Sequence, residues 1–295
     1  MPPTSDPGRS VSSRLLEVLF TFRSDRPRLS VADLTYLTGI PRQTVRRLVM
    51  ELVDAGALER DEDGQFTVGV RLWQLGTLAP LPEFLRVTAL PFMDDLGAAL
   101  RQHVQLAILD GREAVVIEGL PAPRAVELAS RVGGRLPLHC SGVGKVLLSH
   151  GGTELIEGVL GRPLRRYTTR TIIDPAGLRA ELAACRQLGT ATVRGELTDE
   201  ADSVATRIID ANGCVVAALS VVMRAGSVEH RTVLPPVLAS GLEISRRLGW
   251  RPGVQVREKA VQPGYGMSKK YRVGPAHSDR VVLARNPMTR DEWTF

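Results

Sequence analysis

Residues 30–56 (SVADLTYLTGIPRQTVRRLVMELVDAG) limit the possible folds of this chain more than any other stretch. On a 3.6-residue wheel drawn over Pro41 to Ala55, Val45, Leu48, Val49 and Leu52 fall on one apolar face. Gln43, Arg46, Arg47 and Met50 fall opposite, with Arg42 and Thr44 at the flanks. Pro41 suits the first helical position, and Gly56 suits a left-handed residue just past the end. Ser30-Val31-Ala32-Asp33 is a capping-box pattern that starts a shorter helix through Leu37, and Thr38-Gly39-Ile40 makes a tight turn between the two. Two short helices so joined, the second with polar groups at its start, predict a helix-turn-helix. Taken alone, the second helix reads first as an ordinary amphipathic helix with a solvated basic face.

The flanks extend the pattern. Residues 12–22 (SSRLLEVLFTF) read as a further helix whose buried stripe is Leu15, Leu16, Val18, Leu19 and Phe22. Residues 57–60 and 65–68 flank Asp61-Glu62-Asp63-Gly64, where the Asp-Gly marks a hairpin turn. Three helices and a hairpin predict a winged helix-turn-helix over residues 10–76. Such a package serves either DNA or protein contacts. If DNA, Arg42 and Thr44 lie at the helix start, where phosphates dock against free N–H groups. Gln43, Arg46 and Arg47 are then placed for base edges, arginine to guanine and glutamine to adenine.

Overall charge does not decide between these partners. The net charge is +6, yet residues 1–75 hold 10 Lys/Arg against 10 Asp/Glu, and residues 76–250 hold 19 against 18. Residues 251–295 hold 9 against 4, so most of the excess lies in the last 45 residues. Any case for nucleic acid rests on local placement.

Composition excludes several classes. At 295 residues, 43% hydrophobic and 24% charged, the chain is expected to fold as globular domains. Its longest apolar run, Cys214 to Met223, is too short to span a bilayer, and residues 1–10 lack the features of a signal peptide. No membrane partner is expected. Cys140, Cys185 and Cys214 are widely spaced and form no CxxC, which fits reduced thiols in a cytoplasm. His103, His139, His150, His230 and His277 lack metal-ligand spacing, so neither a metal nor a cofactor is expected.

Beyond the wing, residues 71–101 look helical in two pieces, broken at Pro80 and Pro82 and kinked or restarted at Pro91. Their apolar side chains, among them Leu85, Val87, Met93 and Leu96, exceed what one helix against one domain needs. Residues 77–101 are therefore read as a linker helix that also packs on a partner. From residue 103 the period changes to strands. Residues 104–109 and 114–118 flank Asp110-Gly111, residues 126–130 (VELAS) look strand-like, and residues 205–209 and 214–222 turn at Asn212-Gly213. Helical patterns cover 153–160, 175–188 and 234–248. The expectation for residues 102–250 is an α+β domain with an antiparallel sheet. Residues 1–9 and the Pro/Gly/basic stretch 251–295 are expected to be disordered.

The segment SGVGK at 141–145 bridges a strand and a helix. Gly142 and Gly144 allow close backbone approach, and free N–H groups at a helix start favour an anion. A carboxylate-bearing metabolite over Ser141, Gly142 and Val143 is one reading; tight packing at the strand–helix turn is the other. SGVGK is not a P-loop, because the chain has His139 and Val146 where that motif needs Gly and Ser or Thr. The nucleophile elbow GxSxG fails at His139 as well. His139, Cys140, Ser141 and Lys145 have no acidic partner at a recognisable spacing, so no catalytic residues and no enzyme activity are expected.

Three stretches in order resemble the IclR family of bacterial transcription regulators: residues 10–76; GGRLPLHCSGVGKVLLS at 133–149 with 165–189; and DANGCVVAALSVV at 210–222 running to EISRRLGW at 243–250. The resemblance implies an N-terminal DNA-binding domain, a linker helix, and a C-terminal GAF-like domain that binds a small effector. It also implies a homodimer or homotetramer on a palindromic operator in double-stranded DNA. Ser203 and Ser220 match family positions that line the effector pocket, joining Ser141, Gly142 and Val143. The chain departs from the family at Glu200, where a Gly is usual, at Arg207 in place of Pro, and at Val193, where some members place a ligand-binding Asp. The combined expectation is a transcription regulator controlled by a carboxylate-bearing or aromatic metabolite. The alternative is a small-molecule enzyme or sensor that keeps the winged domain for protein contacts.

Overall fold

The computed structural model describes residues 10–257 apart from 25, 124, 125 and 127, so of the segments expected to be disordered, 1–9 and 251–295, residues 1–9 and 258–295 lie outside the described residues. Residues 251–257 depart from that expectation, since the Arg257 N–H donates to the Gly213 carbonyl at 2.8 Å and ties them to the turn at Asn212-Gly213. Helix α1 (Val11–Phe20) is capped by Ser10, whose hydroxyl accepts from the Ser13 N–H at 3.0 Å. Helix α2 (Val31–Thr38) begins with the expected capping box. The Asp33 N–H donates to Ser30 Oγ at 3.1 Å, and the Ser30 N–H donates to Asp33 Oδ2 at 2.9 Å. Gly39, at φ +67°, ends it. Helix α3 (Arg42–Asp54) starts one residue later than expected, with Pro41 as its N-cap. Val45, Leu48, Val49 and Leu52 are all buried, in one core with Val18, Leu34 and Phe66. Leu16 is the exception to the α1 stripe, at 47% exposure, because its side chain points about 200° round the helix from the buried Val18.

The wing pairs β1 (Leu58–Arg60) with β2 (Phe66–Val68), Arg60 opposite Phe66. Gly64 closes the turn at φ +77°, and Asp61 Oδ1 accepts from the Gln65 N–H at 2.8 Å. Leu29 exchanges two backbone hydrogen bonds with Phe66, at 3.1 and 2.9 Å, so the loop before α2 adds a third edge to the wing.

Helices α4 (Val70–Gly76) and α5 (Pro80–Leu100) follow. The two helical pieces are thus parted just before Pro80, as expected, and Pro80 and Pro82 stand in the first turn of α5, where N–H groups lack helical acceptors in any case. Pro91 does not restart it. The helix runs through because Leu85, Ala89, Met93 and Leu96 bury one continuous side of it on the sheet, which outweighs the lost hydrogen bond.

That sheet has six strands among the described residues: β3 (His103–Asp110), β4 (Glu113–Leu120), β5 (Arg135–Pro137), β6 (Thr190–Arg194), β7 (Ala201–Ile209) and β8 (Val215–Arg224). They lie in the order β5-β4-β3-β8-β7-β6, every neighbour antiparallel. Helices α6 (Gly142–Ser149), α7 (Thr153–Leu160) and α8 (Pro175–Leu188) share a core with Ala107, Ala205 and Ala218 on one face. Helix α5 and α9 (His230–Arg247) bury Leu106, Val204 and Leu219 on the other. Cover on both faces explains why β8 reads as an unbroken apolar run. No helix among the described residues is long and apolar enough to cross a membrane.

Three further expectations need correction. Residues 126–130 form no strand among the described residues: the carbonyls of Val126 and Ser130 receive His103 Nε2 (2.6 Å) and Gln105 Nε2 (3.0 Å), side chains of β3 in place of a ladder partner. Strand β6 is present where none was expected. Helix α9 begins at His230, one turn earlier than Leu234, with Pro235 and Pro236 inside it.

Candidate functional site

Helix α3 presents Arg42, Gln43, Arg46 and Arg47 to solvent, with Thr44 half-buried, all within its first two turns. Pro41 supplies no side-chain cap, so the first-turn N–H groups stay available to an anion. Arg47 Nη1 stands 3.7 Å from Glu51 Oε1, an exposed i,i+4 pair worth only about 0.3–0.5 kcal/mol and easily exchanged for another acceptor. The neighbouring wing tip is acidic, with Glu62 and Asp63 exposed.

In the C-terminal domain the strand registers collect polar side chains on one face. Ser203 pairs across to Val193 and Val222, while Ser220 pairs to Gln105 and Ala205. All but Ala205 line a cavity of about 50 Å³ that is also bounded by Leu128, Leu136, Leu197 and the start of α6. Ser141, Gly142, Val143, Ser203 and Ser220 are all in its lining, so the five residues singled out in the sequence come together. The volume holds roughly three to five waters at ~10–15 Å³ each.

Each of the five has a distinct position. Ser141 caps α6: its hydroxyl accepts from the Gly144 N–H at 3.2 Å and donates to the Pro137 carbonyl at 2.6 Å. That hydroxyl is fully used by the fold. The N–H groups of Gly142 and Val143 stand ahead of the first helical acceptor, which is the Ser141 carbonyl bonded to Lys145 N at 2.9 Å. A Cβ on Gly142 would meet Ser203 Oγ at 2.7 Å, and one on Gly144 would meet the Pro137 carbonyl at 2.6 Å. Gly144 is therefore required by packing against backbone, whereas at Gly142 the nearest atom is a side-chain hydroxyl in the cavity, and close approach to a ligand is a role for Gly142 alone. Ser203 is half-buried and Ser220 buried in the cavity lining. No Lys or Arg lines the cavity, and its one charged side chain among the described residues is the buried Asp202, which lies 3.2 Å from His230 Nε2.

Behind the first turn of α6, Lys145 is wholly buried, with Nζ 2.6 Å from Glu196 Oε1 and 3.4 Å from Glu181 Oε1. Burial pushes the Cys140 thiol up to about 12, and the Glu196 charge adds to the shift. At neutral pH it is a protonated thiol and no nucleophile. Burial holds His139 below the ordinary imidazole value, while its Nε2 lies 2.9 Å from the Arg165 carbonyl. Among the described residues, no three His, Cys, Asp or Glu side chains cluster as a metal site requires.

Two family models match this architecture: the IclR helix-turn-helix domain over residues 12–62, and the bacterial transcriptional regulator IclR C-terminal domain over residues 84–246. The second alone spans more than half of the chain. The chain belongs to the IclR family. It is a transcriptional regulator with a helix-turn-helix DNA-binding domain and a ligand-binding C-terminal domain. It is 30% identical over 252 residues to the Pca regulon regulatory protein of Pseudomonas putida, covering 83% of this chain and 86% of that protein. It is also 30% identical to the HTH-type transcriptional repressor AllR of Escherichia coli K12, over 74% of this chain and 82% of the repressor. A solved IclR homolog from Microbacterium hydrocarbonoxydans, complexed with 4-hydroxybenzoate, superposes with a TM-score of 0.75 at 35% identity, covering 81% of this chain and 99% of that one.

The departures from the IclR pattern now have places in the fold. Val193 is buried in the cavity lining and puts an apolar surface where some relatives carry an acid. Arg207 crosses Gly189 and donates to the Arg186 carbonyl at 3.2 Å, so a cation sits at the C-terminal end of α8. Gln105, Leu128, Leu136 and Leu197 were not singled out in the sequence, because lining a cavity depends on cross-strand register that no local pattern reveals.

Proposed function

We propose that this IclR-family regulator binds a palindromic operator in double-stranded DNA as a homodimer or homotetramer, through Arg42, Gln43, Thr44, Arg46 and Arg47. The observation that supports the contact set is their joint exposure on the uncapped start of α3 while the opposite face of the same helix is buried. Self-association has separate support. Trp73, Leu75 and Leu78 on and after α4, and Phe84 and Val87 on α5, are large apolar side chains left exposed along consecutive segments. The protein acts in the cytoplasm and catalyses no reaction.

The effector is a small carboxylic acid. Its carboxylate docks on the Gly142 and Val143 N–H groups, Ser203 and Ser220 donate from the sheet, and Val193, Leu128 and Leu136 enclose an apolar or aromatic body. With no Lys or Arg in the lining, backbone dipoles and hydroxyls carry the anion recognition. The 4-hydroxybenzoate held by the Microbacterium homolog has this chemistry and is the first compound to test. Binding changes DNA affinity only to the extent that the DNA-competent and incompetent arrangements differ in affinity for the effector. Isothermal titration with 4-hydroxybenzoate is expected to show binding that weakens in Ser220→Ala. Equal affinity in wild type and Ser220→Ala removes that serine from the site, and absence of binding across a panel of small acids removes the effector class.

A further inference from the structure

Lys145 is the largest fully buried side chain among the described residues and carries a charge. Its partner Glu196 is buried too, and the second carboxylate oxygen, Oε2, has no hydrogen-bond partner among the described residues. A buried ion pair with an unsatisfied oxygen is a poor source of stability, since apolar side chains of the same volume often hold a core as well or better. The position of the pair is what sets it apart. Lys145 stands one turn into α6, whose start at Ser141, Gly142 and Val143 is one part of the cavity lining. Glu196 belongs to the turn between β6 and β7, next to Leu197 and Thr198, which form another part. That turn is itself tied down, because the Gly195 carbonyl accepts from Thr168 Oγ1 at 2.6 Å and the Glu196 carbonyl from Thr171 Oγ1 at 2.7 Å. The salt bridge thus joins two walls of one cavity. Cys140, also in the lining, feels both charges, Glu196 raising its thiol pKa and Lys145 lowering it.

We propose that the Lys145–Glu196 pair is a positioning clamp that holds the α6 wall and the 196–198 wall together, and so limits the size of the ligand the cavity admits. The limit on ligand size rests on the cavity being the effector site. The clamp itself does not, and is measurable without any ligand. A cavity of about 50 Å³ is far below the ~300–1,000 Å³ of ordinary ligand pockets. A ring-sized guest has to part these walls, working against the ion pair.

Hydrogen exchange followed by mass spectrometry on the full chain, with no ligand present, tests the clamp. Glu196→Gln keeps the shape and removes the charge. Glu196→Asp keeps the charge and draws it back by one methylene, and replaces Glu196→Gln if that variant does not fold. Val237→Ala, in the core on the opposite face of the sheet, serves as a control of lowered global stability. Peptides spanning 138–148 and 194–203 are expected to exchange at least about tenfold faster in the Glu196 variant, with the other peptides near wild type. Wild-type protection in both segments overturns the clamp, as does loosening spread through the domain in the manner of Val237→Ala. A separate titration with 4-hydroxybenzoate isolates the effector reading: if it fails to bind while the two segments loosen as expected, the clamp stands and the effector assignment falls.

Discussion

Gly144→Ala separates the two reasons for a glycine in the first turn of α6. A Cβ there would stand 2.6 Å from the Pro137 carbonyl and 2.7 Å from Leu138 Cα, and would press on Ser141 Oγ. Two of these neighbours are backbone atoms of the segment entering the helix and cannot rotate away. Overpacking of this kind costs about 1–3 kcal/mol. Displacing the Ser141 hydroxyl removes the N-cap, at about 0.5–2 kcal/mol. Alanine in a helix returns about 1 kcal/mol relative to glycine. The net loss expected is about 0.5–4 kcal/mol, or roughly 2–4 °C of melting temperature per kcal/mol for a domain of this size. Urea unfolding followed by far-UV circular dichroism measures it, with Ser141→Ala fixing the share that belongs to the hydroxyl. Gly142→Ala is the informative contrast, because its Cβ meets a side-chain hydroxyl, Ser203 Oγ, at 2.7 Å and Ala205 Cβ at 3.2 Å. It narrows the cavity more than it strains the backbone, so effector affinity suffers more than stability. Gly144→Ala as stable as wild type, or more stable, refutes the packing account.

Other expectations follow from single features. Replacing Glu62 and Asp63 by lysine converts the wing tip from repelling phosphates to attracting them; DNA affinity is expected to rise and the salt slope to steepen by about one per phosphate gained, while an unchanged slope in a salt titration places the tip clear of the DNA. Trp73→Asp combined with Leu78→Asp is expected to shift the sedimentation profile to smaller species with the fold intact, and an unchanged profile removes that face from the interface. His139 has a folded pKa lowered by burial, so the unfolded chain takes up its proton first as pH falls. Its contribution is intact above the ordinary imidazole pKa of about 6.5 and is lost progressively as the pH falls below it, towards the lowered folded value. Urea midpoints across that range are expected to fall more steeply in wild type than in His139→Gln; parallel curves exclude the residue as a source of the pH dependence.

Features fixed by neighbouring residues were legible in the sequence. The Ser30–Asp33 capping box, the buried face of α3, the wing turn at Gly64, and both ends of α7 and α8 depend on contacts within a few positions. Features fixed by tertiary contacts were not. Pro91 suggests a break until Ala89 and Met93 are seen buried on either side of it. Residues 126–130 alternate like a strand, but side chains of His103 and Gln105 take their carbonyls. The gathering of the five cavity residues followed from strand register, and the sequence pointed to them partly through family likeness. Lys145 and Glu196 stand 51 positions apart, so no spacing links them. The lysine alone carried a signal: in GVGKVLLS it sits among apolar side chains on every side, and a charge so placed needs a buried partner.

The central claim, that the exposed start of α3 reads the operator, is tested most directly by fluorescence anisotropy on an operator fragment found by genome-wide footprinting of the wild-type protein. Arg46 and Arg47 are both exposed, and Arg47 has only the weak Glu51 pair to lose, so replacing either by alanine leaves folding almost unaffected. Each is expected to lose about 1–3 kcal/mol of operator affinity, roughly 5- to 150-fold, with melting temperature and circular dichroism unchanged. Wild-type affinity in both Arg46→Ala and Arg47→Ala contradicts the account.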